Sequence, residues 1–317
     1  MTTRHRVDPD LLDLVDSITT EDLTLESLEL LRRSGLERLS RQAGPPVAPR
    51  ARQAPGFGQA PPVPVLHYRP ARQQQRSAAI LHIHGGGMIS GSARLSEFAS
   101  AAQALEAGLP VFSVEYRLAP ETPFPGQLED CYAVLAWMTS SAEAFDIDPG
   151  RIIVSGDSAG GGLAAGLALM VRDRGDLSLV GQVLTYPMLD YRTALSGELE
   201  AGAETGEFCW TRQQNSFAWS AYRGDFDLDD PRRGWFSPAL ASDLAGLPPA
   251  WIGVGMLDLF RDECISYAHR LRTAGIAAEL QLYDGAPHAF NAHPRAGIAG
   301  AYRAGVSTAF KAFAAHE

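Results

Sequence analysis

The stretch Gly156-Asp-Ser-Ala-Gly160 follows the apolar run Arg151-Ile-Ile-Val-Ser155 and opens into Gly161-Gly-Leu-Ala-Ala-Gly-Leu-Ala-Leu-Met170. A strand that turns directly into a helix forces its corner residue toward positive φ, and flanking glycines allow a backbone approach that side chains would block. Ser158 would occupy that corner, its hydroxyl clear of the backbone and close to a helix amino end that favours negative charge. In a chain with 31 glycines a G-x-S-x-G match by itself says little. The predicted strand before it and helix after it make it a candidate nucleophile site.

A second glycine element lies upstream. His82-Ile-His84-Gly85-Gly86-Gly87 ends the apolar run Ala78-Ala-Ile-Leu81, so three glycines leave the tip of a predicted strand. Bare backbone amides in such a loop are what a developing oxyanion needs in acyl transfer. A phosphate loop would carry Gly-Lys-Ser/Thr or G-x-G-x-x-G, and neither is present. His82 and His84 form an i, i+2 pair with no cysteine or carboxylate cluster nearby in sequence to complete a metal site.

A serine at such a corner requires an acid and then a histidine further along the chain. Trp251-Ile-Gly-Val-Gly-Met256 reads as a buried strand with Asp258 just past its end, and Glu279-Leu-Gln-Leu-Tyr283 alternates as another strand leading to His288. Catalytic groups of open α/β sheets collect at such strand ends. Asp262 and Glu263 in the following predicted helix, Asp190 and His293 are competitors, less favoured by position.

Taken together, the chain resembles the bacterial hormone-sensitive-lipase-like (family IV) carboxylesterases of the α/β-hydrolase superfamily. The resemblance rests on His84-Gly-Gly-Gly87, Tyr116-Arg-Leu-Ala-Pro-Glu121, Gly156-Asp-Ser-Ala-Gly-Gly161, Ser237-Pro238, Asp258-Leu-Phe-Arg-Asp-Glu263 and His288-Ala-Phe290, in family order from about residue 65 to 317. It implies Ser158 as nucleophile, His288 as base and Asp258 as its orienting acid, with the oxyanion on the amides of Gly86, Gly87 and Ala159. His84 would be structural. Met88 stands where the family usually has an aromatic residue, and Leu259 replaces a common proline. Met88, Asp157, Phe208, Trp210 and Trp219 are candidates to line the substrate pocket.

The apolar runs near 64–68, 79–84, 110–116, 151–155, 181–187, 250–256 and 279–283 alternate with helical segments near 96–107, 127–140, 158–172, 262–274 and 299–314. That alternation predicts an α/β fold with a mostly parallel central sheet flanked by helices. Leu11, Leu12, Val15 and Ile18, then Leu25, Leu28, Leu31, Leu36 and Leu39, recur at helical spacing and suit ordinary packing. Gly44 to Pro64 holds seven prolines and no periodicity, so it reads as an extended crossing. Between Asp190 and Arg233 the rhythm breaks and Phe208, Trp210, Phe217, Trp219 and Tyr222 cluster. By resemblance, 1–43 and 190–233 would form a helical cap, and 44–189 and 234–317 the catalytic core.

At 317 residues and 45% hydrophobic, the chain can bury a large core. A net charge of −10 without a basic run argues against nucleic acid as partner. Cys131, Cys209 and Cys264 are odd in number and widely spaced, as reduced thiols would be. No stretch reaches membrane-span length and the amino terminus lacks a secretory apolar core, so a cytoplasmic protein acting away from membranes is expected. The expected partner is a small-molecule ester, no metal or organic cofactor is required, and a homodimer is one assembly state open to the chain. The expected reaction is hydrolysis of short- to medium-chain acyl esters through a serine acyl-enzyme. An amide hydrolase or deacetylase with the same triad, and a ligand-binding receptor on the same fold, are the alternatives.

Overall fold

The computed structural model describes residues 3–18, 21–40, 44–195 and 204–315, without the side chains of Leu36, Arg38 and Ser40. Positions 1–2, 19–20, 41–43 and 196–203, parts of the expected cap, lie outside the described residues, as does the Leu36 side chain of the expected leucine stripe.

Eight strands build one sheet: β1 (Arg50–Ala54), β2 (Val63–Tyr68), β3 (Ser77–Ile83), β4 (Val111–Val114), β5 (Ile147–Asp157), β6 (Gly181–Thr185), β7 (Ala250–Gly255) and β8 (Ala278–Tyr283). Their order is β1-β2-β4-β3-β5-β6-β7-β8, parallel from β4 to β8, with β2 antiparallel to both its neighbours. β3, β4, β6 and β7 are buried along their whole length. Continuous apolar runs are what a parallel strand covered on both faces requires.

The helices are α1 (Leu12–Ser17), α2 (Leu25–Ser40), α3 (Glu97–Ala107), α4 (Gly126–Ser140), α5 (Ala142–Phe145), α6 (Ala159–Arg174), α7 (Arg212–Arg223), α8 (Arg233–Phe236), α9 (Arg261–Thr273) and α10 (Gly297–Ala315). α6 packs on the sheet beside α4 and α8, while α10 packs on it together with α3. Every residue of α6 from Ala159 to Val171 is buried. The small residues of that stretch let the helix sit close to its neighbours, and an ideal Cβ on Gly162 would fall 2.1 Å from the Met188 carbonyl oxygen.

One expectation needs correction. The crossing from 44 to 64 contains β1, whose first four residues are exposed. An edge strand hydrogen-bonds on one side only, and Arg-Ala-Arg-Gln-Ala carries no apolar alternation by which to recognise it.

The amino-terminal segment is tied down at defined points. Arg32 of α2 donates to the carbonyls of Ile89 and Ala119 at 2.7 and 2.8 Å and pairs with Glu121 at 2.7 Å. The Leu23 amide donates to Gln213 Oε1 at 2.9 Å, and Gln214 Nε2 to the Glu21 carbonyl at 3.0 Å, joining this segment to α7.

Candidate active site

Ser158 stands between β5 and α6 at φ 57° and ψ −119°. A residue with a Cβ holds that conformation only where its surroundings enforce it. Here its amide donates to the Thr185 carbonyl at 2.9 Å, and its carbonyl accepts from Gly162 and Met188, both at 3.0 Å. An ideal Cβ on Gly156 would fall 2.2 Å from the Gly160 carbonyl oxygen, and one on Gly160 2.1 Å from that of Ile83. The corner therefore admits a side chain at 158 and excludes one at 156 and 160.

His288 follows β8 and Asp258 follows β7. His288 Nε2 lies 3.0 Å from Ser158 Oγ, and His288 Nδ1 lies 2.8 Å from Asp258 Oδ2. The other oxygen of Asp258 accepts the Phe260 amide at 2.9 Å, so both oxygens of a fully buried carboxylate are satisfied. The imidazole is wedged by Phe260 edge-on at 5.3 Å and by Tyr186 at 4.5 Å between ring centroids. Two hydrogen bonds and two rings leave His288 little freedom to turn.

The glycine loop leaves β3 beside this group. Gly86 has φ +119°, and an ideal Cβ there would sit 2.2 Å from the Ser90 carbonyl oxygen; at Gly87, with φ +64°, it would sit 2.7 Å from the Trp210 ring. Both positions need glycine for conformation and for room. His84 braces the loop from below. Burial pushes its imidazole down to about 4, and the neutral ring donates from Nδ1 to the Gly85 carbonyl at 2.8 Å. It stacks on Tyr116 at 4.1 Å, and the Tyr116 hydroxyl donates to the His84 carbonyl at 2.9 Å.

Ser158 opens into a cavity of about 520 Å³. Its floor holds Gly85, Gly86, Gly87, Asp157, Ser158, Tyr186 and His288. The amino-terminal segment contributes Ile18, Glu21, Asp22, Leu23, Ser27, Leu30, Leu31 and Ser34, and the segment before and within α7 contributes Cys209, Trp210 and Gln214.

Residues 80–292 match a family model described as the alpha/beta hydrolase fold. The chain belongs to that family. Its motifs, its relatives and its structural neighbours put it among the hormone-sensitive-lipase-like carboxylesterases, so it is a hydrolase of the carboxylesterase type. It is similar to Esterase LipI of Mycobacterium tuberculosis, 34% identical over 279 residues covering 86% of this chain and 84% of that one. It is also similar to an ethyl acetate hydrolase of Pseudomonas putida, 34% identical over 235 residues, 72% of this chain and 71% of the other. A solved bacterial heroin esterase superposes with a TM-score of 0.90 at 34% identity, covering 99% of this chain and 100% of that one.

Three other family motifs occupy structural positions. Arg117 holds Asp130 through its amide and its guanidinium, and Glu121 receives Arg32. Ser237 Oγ donates to the Leu189 carbonyl at 2.8 Å, and Glu263 Oε1 accepts the Leu189 amide at 2.6 Å. Glu263 also accepts from Thr193 Oγ1, and burial holds its carboxyl well above the usual range. The contacts of Ser237 and Glu263 staple the chain where it leaves β6.

The remaining sequence candidates sort by position. Asp157 and Trp210 line the cavity. Met88 does not; it is buried beneath the glycine loop, its Cε 3.7 Å from where a Cβ on Gly162 would stand. Phe208 and Trp219 are also absent from the described lining, and Trp219 packs on Phe236 at 5.2 Å. Asp262 is exposed and paired with Arg261 at 2.7 Å, Asp190 pairs with Arg192, and His293 faces Asp13. His82 is fully buried, 3.8 Å from Asp157. Cys131, Cys209 and Cys264 are free thiols, and burial pushes Cys209, on the cavity wall, up to about 12. Among the described residues, no helix is long and apolar enough to cross a membrane.

Sequence reasoning did not point to Tyr186, Ile18, Glu21, Asp22, Ser27, Leu30 or Ser34 as cavity residues. Leu28 of the expected stripe is buried, but Leu25 is 65% exposed, and Leu30 and Leu31 turn toward the cavity. Polar and apolar residues at these helical spacings look the same whether they face solvent or a cavity.

Proposed function

We propose that the chain hydrolyses short- to medium-chain acyl esters by acyl transfer through Ser158. The observation that carries this reading is the continuous hydrogen-bonded line from Ser158 Oγ through His288 to Asp258, at 3.0 and 2.8 Å. His288 Nε2 takes the hydroxyl proton as Oγ bonds to the ester carbonyl carbon, and the carbonyl oxygen becomes an oxyanion. The amides of Gly86 and Gly87, together with that of Ala159 at the first position of α6, receive the charge. His288 then returns the proton to the leaving alcohol as the ester bond breaks. Water attacks the acyl-enzyme with His288 again as base, releasing the acid and restoring Ser158. Asp258 keeps Nδ1–H pointed toward itself and stabilises the imidazolium formed in each half-reaction. Residues here provide every proton transfer in this cycle.

The segments 1–43 and 190–233 act in this reading as a cap. Both contribute described residues to the cavity wall, and Leu23, Glu21, Gln213 and Gln214 hydrogen-bond them together. A cavity of about 520 Å³ suits a small ester rather than a lipid surface. The ethyl acetate substrate named for one relative agrees with a short acyl group.

The test is kcat/KM on p-nitrophenyl esters from acetate to dodecanoate, beside matched anilides, with the intact mass after a serine-directed organophosphonate. The expected result is a maximum at short to medium chains, little anilide turnover and a single adduct lost in Ser158→Ala. Faster anilide than ester turnover would favour an amidase. An unlabelled, inactive protein would favour a receptor.

A further inference from the structure

At the far edge of the sheet from Ser158, register aligns three residues in one cross-strand row: Arg50 on β1, His67 on β2 and Phe112 on β4. The His67 ring stacks on Phe112 at 4.2 Å with the planes 9° apart, and Phe145 meets it edge-on at 5.4 Å. His67 is only 4% exposed, yet neither ring nitrogen has a hydrogen-bond partner among the described residues. A buried imidazole carries one N–H donor and one acceptor, and leaving both unmade costs free energy that native interiors rarely tolerate.

His67 also lines a cavity of about 360 Å³ with Arg50, Arg69 and Gln73. Arg52 follows two residues after Arg50, on the same strand face. Among the described residues neither Arg50 nor Arg52 meets a carboxylate, and Arg69 has only Asp146, at 3.8 Å. Positive charge is thus concentrated and under-compensated around an unpartnered N–H donor, in a chain of net charge −10. No feature of ester hydrolysis uses this place.

The geometry points to a second binding site here, for a doubly charged oxyanion such as phosphate or a phosphate monoester. The guanidiniums of Arg50 and Arg69 grip its oxygens in the forked fashion that suits phosphate, and the His67 N–H donates to a third. The volume holds the phosphate group with room for a small organic substituent.

Thermal unfolding of the whole chain is measured against inorganic phosphate, with sodium chloride at matched ionic strength as reference. The expected result is a saturable rise in Tm with phosphate alone, its half-saturation moved at least fivefold higher in Arg50→Gln and in Arg69→Gln and unmoved in Arg295→Gln. A rise that chloride reproduces, or one undiminished in both cavity variants, overturns the site. His67→Gln should also weaken the response; if it does not fold, the two arginine variants decide alone. Co-sedimentation with vesicles containing phosphatidic acid, compared with phosphatidylcholine, separates the sources of the phosphate. Retention on phosphatidic acid alone, abolished by Arg50→Gln, identifies a lipid headgroup, and failure to sediment with either vesicle identifies a soluble phosphate.

Discussion

Ser158 Oγ and His288 Nε2 meet at 3.0 Å across 130 residues of sequence. Two strand-end turns bring them together, and each turn is fixed by its own packing: the Ser158 corner by glycines that cannot carry a Cβ, the His288 loop by Phe260, Tyr186 and the Asp258 carboxylate. Removing either partner should therefore disable the reaction without loosening the fold. Ser158→Ala and His288→Ala are each expected to lower kcat by roughly 10⁴-fold or more with unchanged Tm. Asp258→Asn should approach that loss because it spoils the imidazole tautomer. Exposed Asp262 should tolerate the same change within about a factor of two. Kinetics on a p-nitrophenyl ester check all four, and a more damaging Asp262→Asn would move the acid.

The glycine loop gives a second prediction. A methyl group on Gly86 would stand 2.2 Å from the Ser90 carbonyl oxygen at φ +119°, so Gly86→Ala must displace the loop. Losing one oxyanion donor typically costs about 10²- to 10³-fold in kcat. The expected signature is that fall in kcat with KM changed little. Full activity in Gly86→Ala would remove this amide from the oxyanion site.

Stability should fall on the acid side. Burial pushes both His67 and His84 down to about 4, against about 6.5 for an exposed histidine. The unfolded chain then binds more protons than the folded one between these values, so stability is complete above about pH 6.5 and is lost as pH falls toward 4. At pH 5 each histidine should withdraw on the order of 2 kcal/mol. Urea unfolding at pH 7 and pH 5 measures it; equal midpoints would mean that these rings accept protons without strain.

Met88→Phe separates two sites of action. On the family pattern, an aromatic residue after the glycines would narrow the acyl pocket. Met88 is instead 1% exposed under the loop, and its carbonyl accepts the Ala119 amide at 2.9 Å. The larger ring should overpack that core and cost about 1–3 kcal/mol of stability. The chain-length profile should keep its maximum. A shifted maximum at unchanged Tm would return residue 88 to the pocket wall.

Glu21, Asp22 and Asp157 line the cavity, and no lysine or arginine appears in its described lining. Esters bearing a quaternary ammonium should be favoured over neutral isosteres, and carboxylate-bearing esters disfavoured, by roughly two- to fivefold each at low salt. Raising ionic strength to about 0.5 M should compress these ratios toward one, because exposed charges are screened. Ratios indifferent to salt would exclude an electrostatic filter at the mouth.

The sequence by itself determined the features in which local backbone chemistry leaves no alternative. Gly156 must be bare because the Gly160 carbonyl, four residues on, fills the space, and Gly86 must adopt a φ that side chains avoid. Buried parallel strands such as β3 and β7 are continuous apolar runs for an equally local reason, exposure of neither face. Asp258 and His288 were legible as strand-end residues, and the structure brings them within 2.8 Å of each other. Only the tertiary structure decided matters that depend on which surface meets which. Met88 and Trp210 are both large apolar residues near the site, yet one lies under the glycine loop and the other faces the cavity. Trp219 is held against Phe236 in the core instead. The side that α2 turns to the cavity depends on Arg32 reaching Ile89, Ala119 and Glu121, contacts with partners 57 to 89 residues away. β1 was invisible because an edge strand with exposed side chains leaves no periodic pattern. Local sterics can be read from neighbouring residues; packing between distant segments is written in no single stretch of the chain.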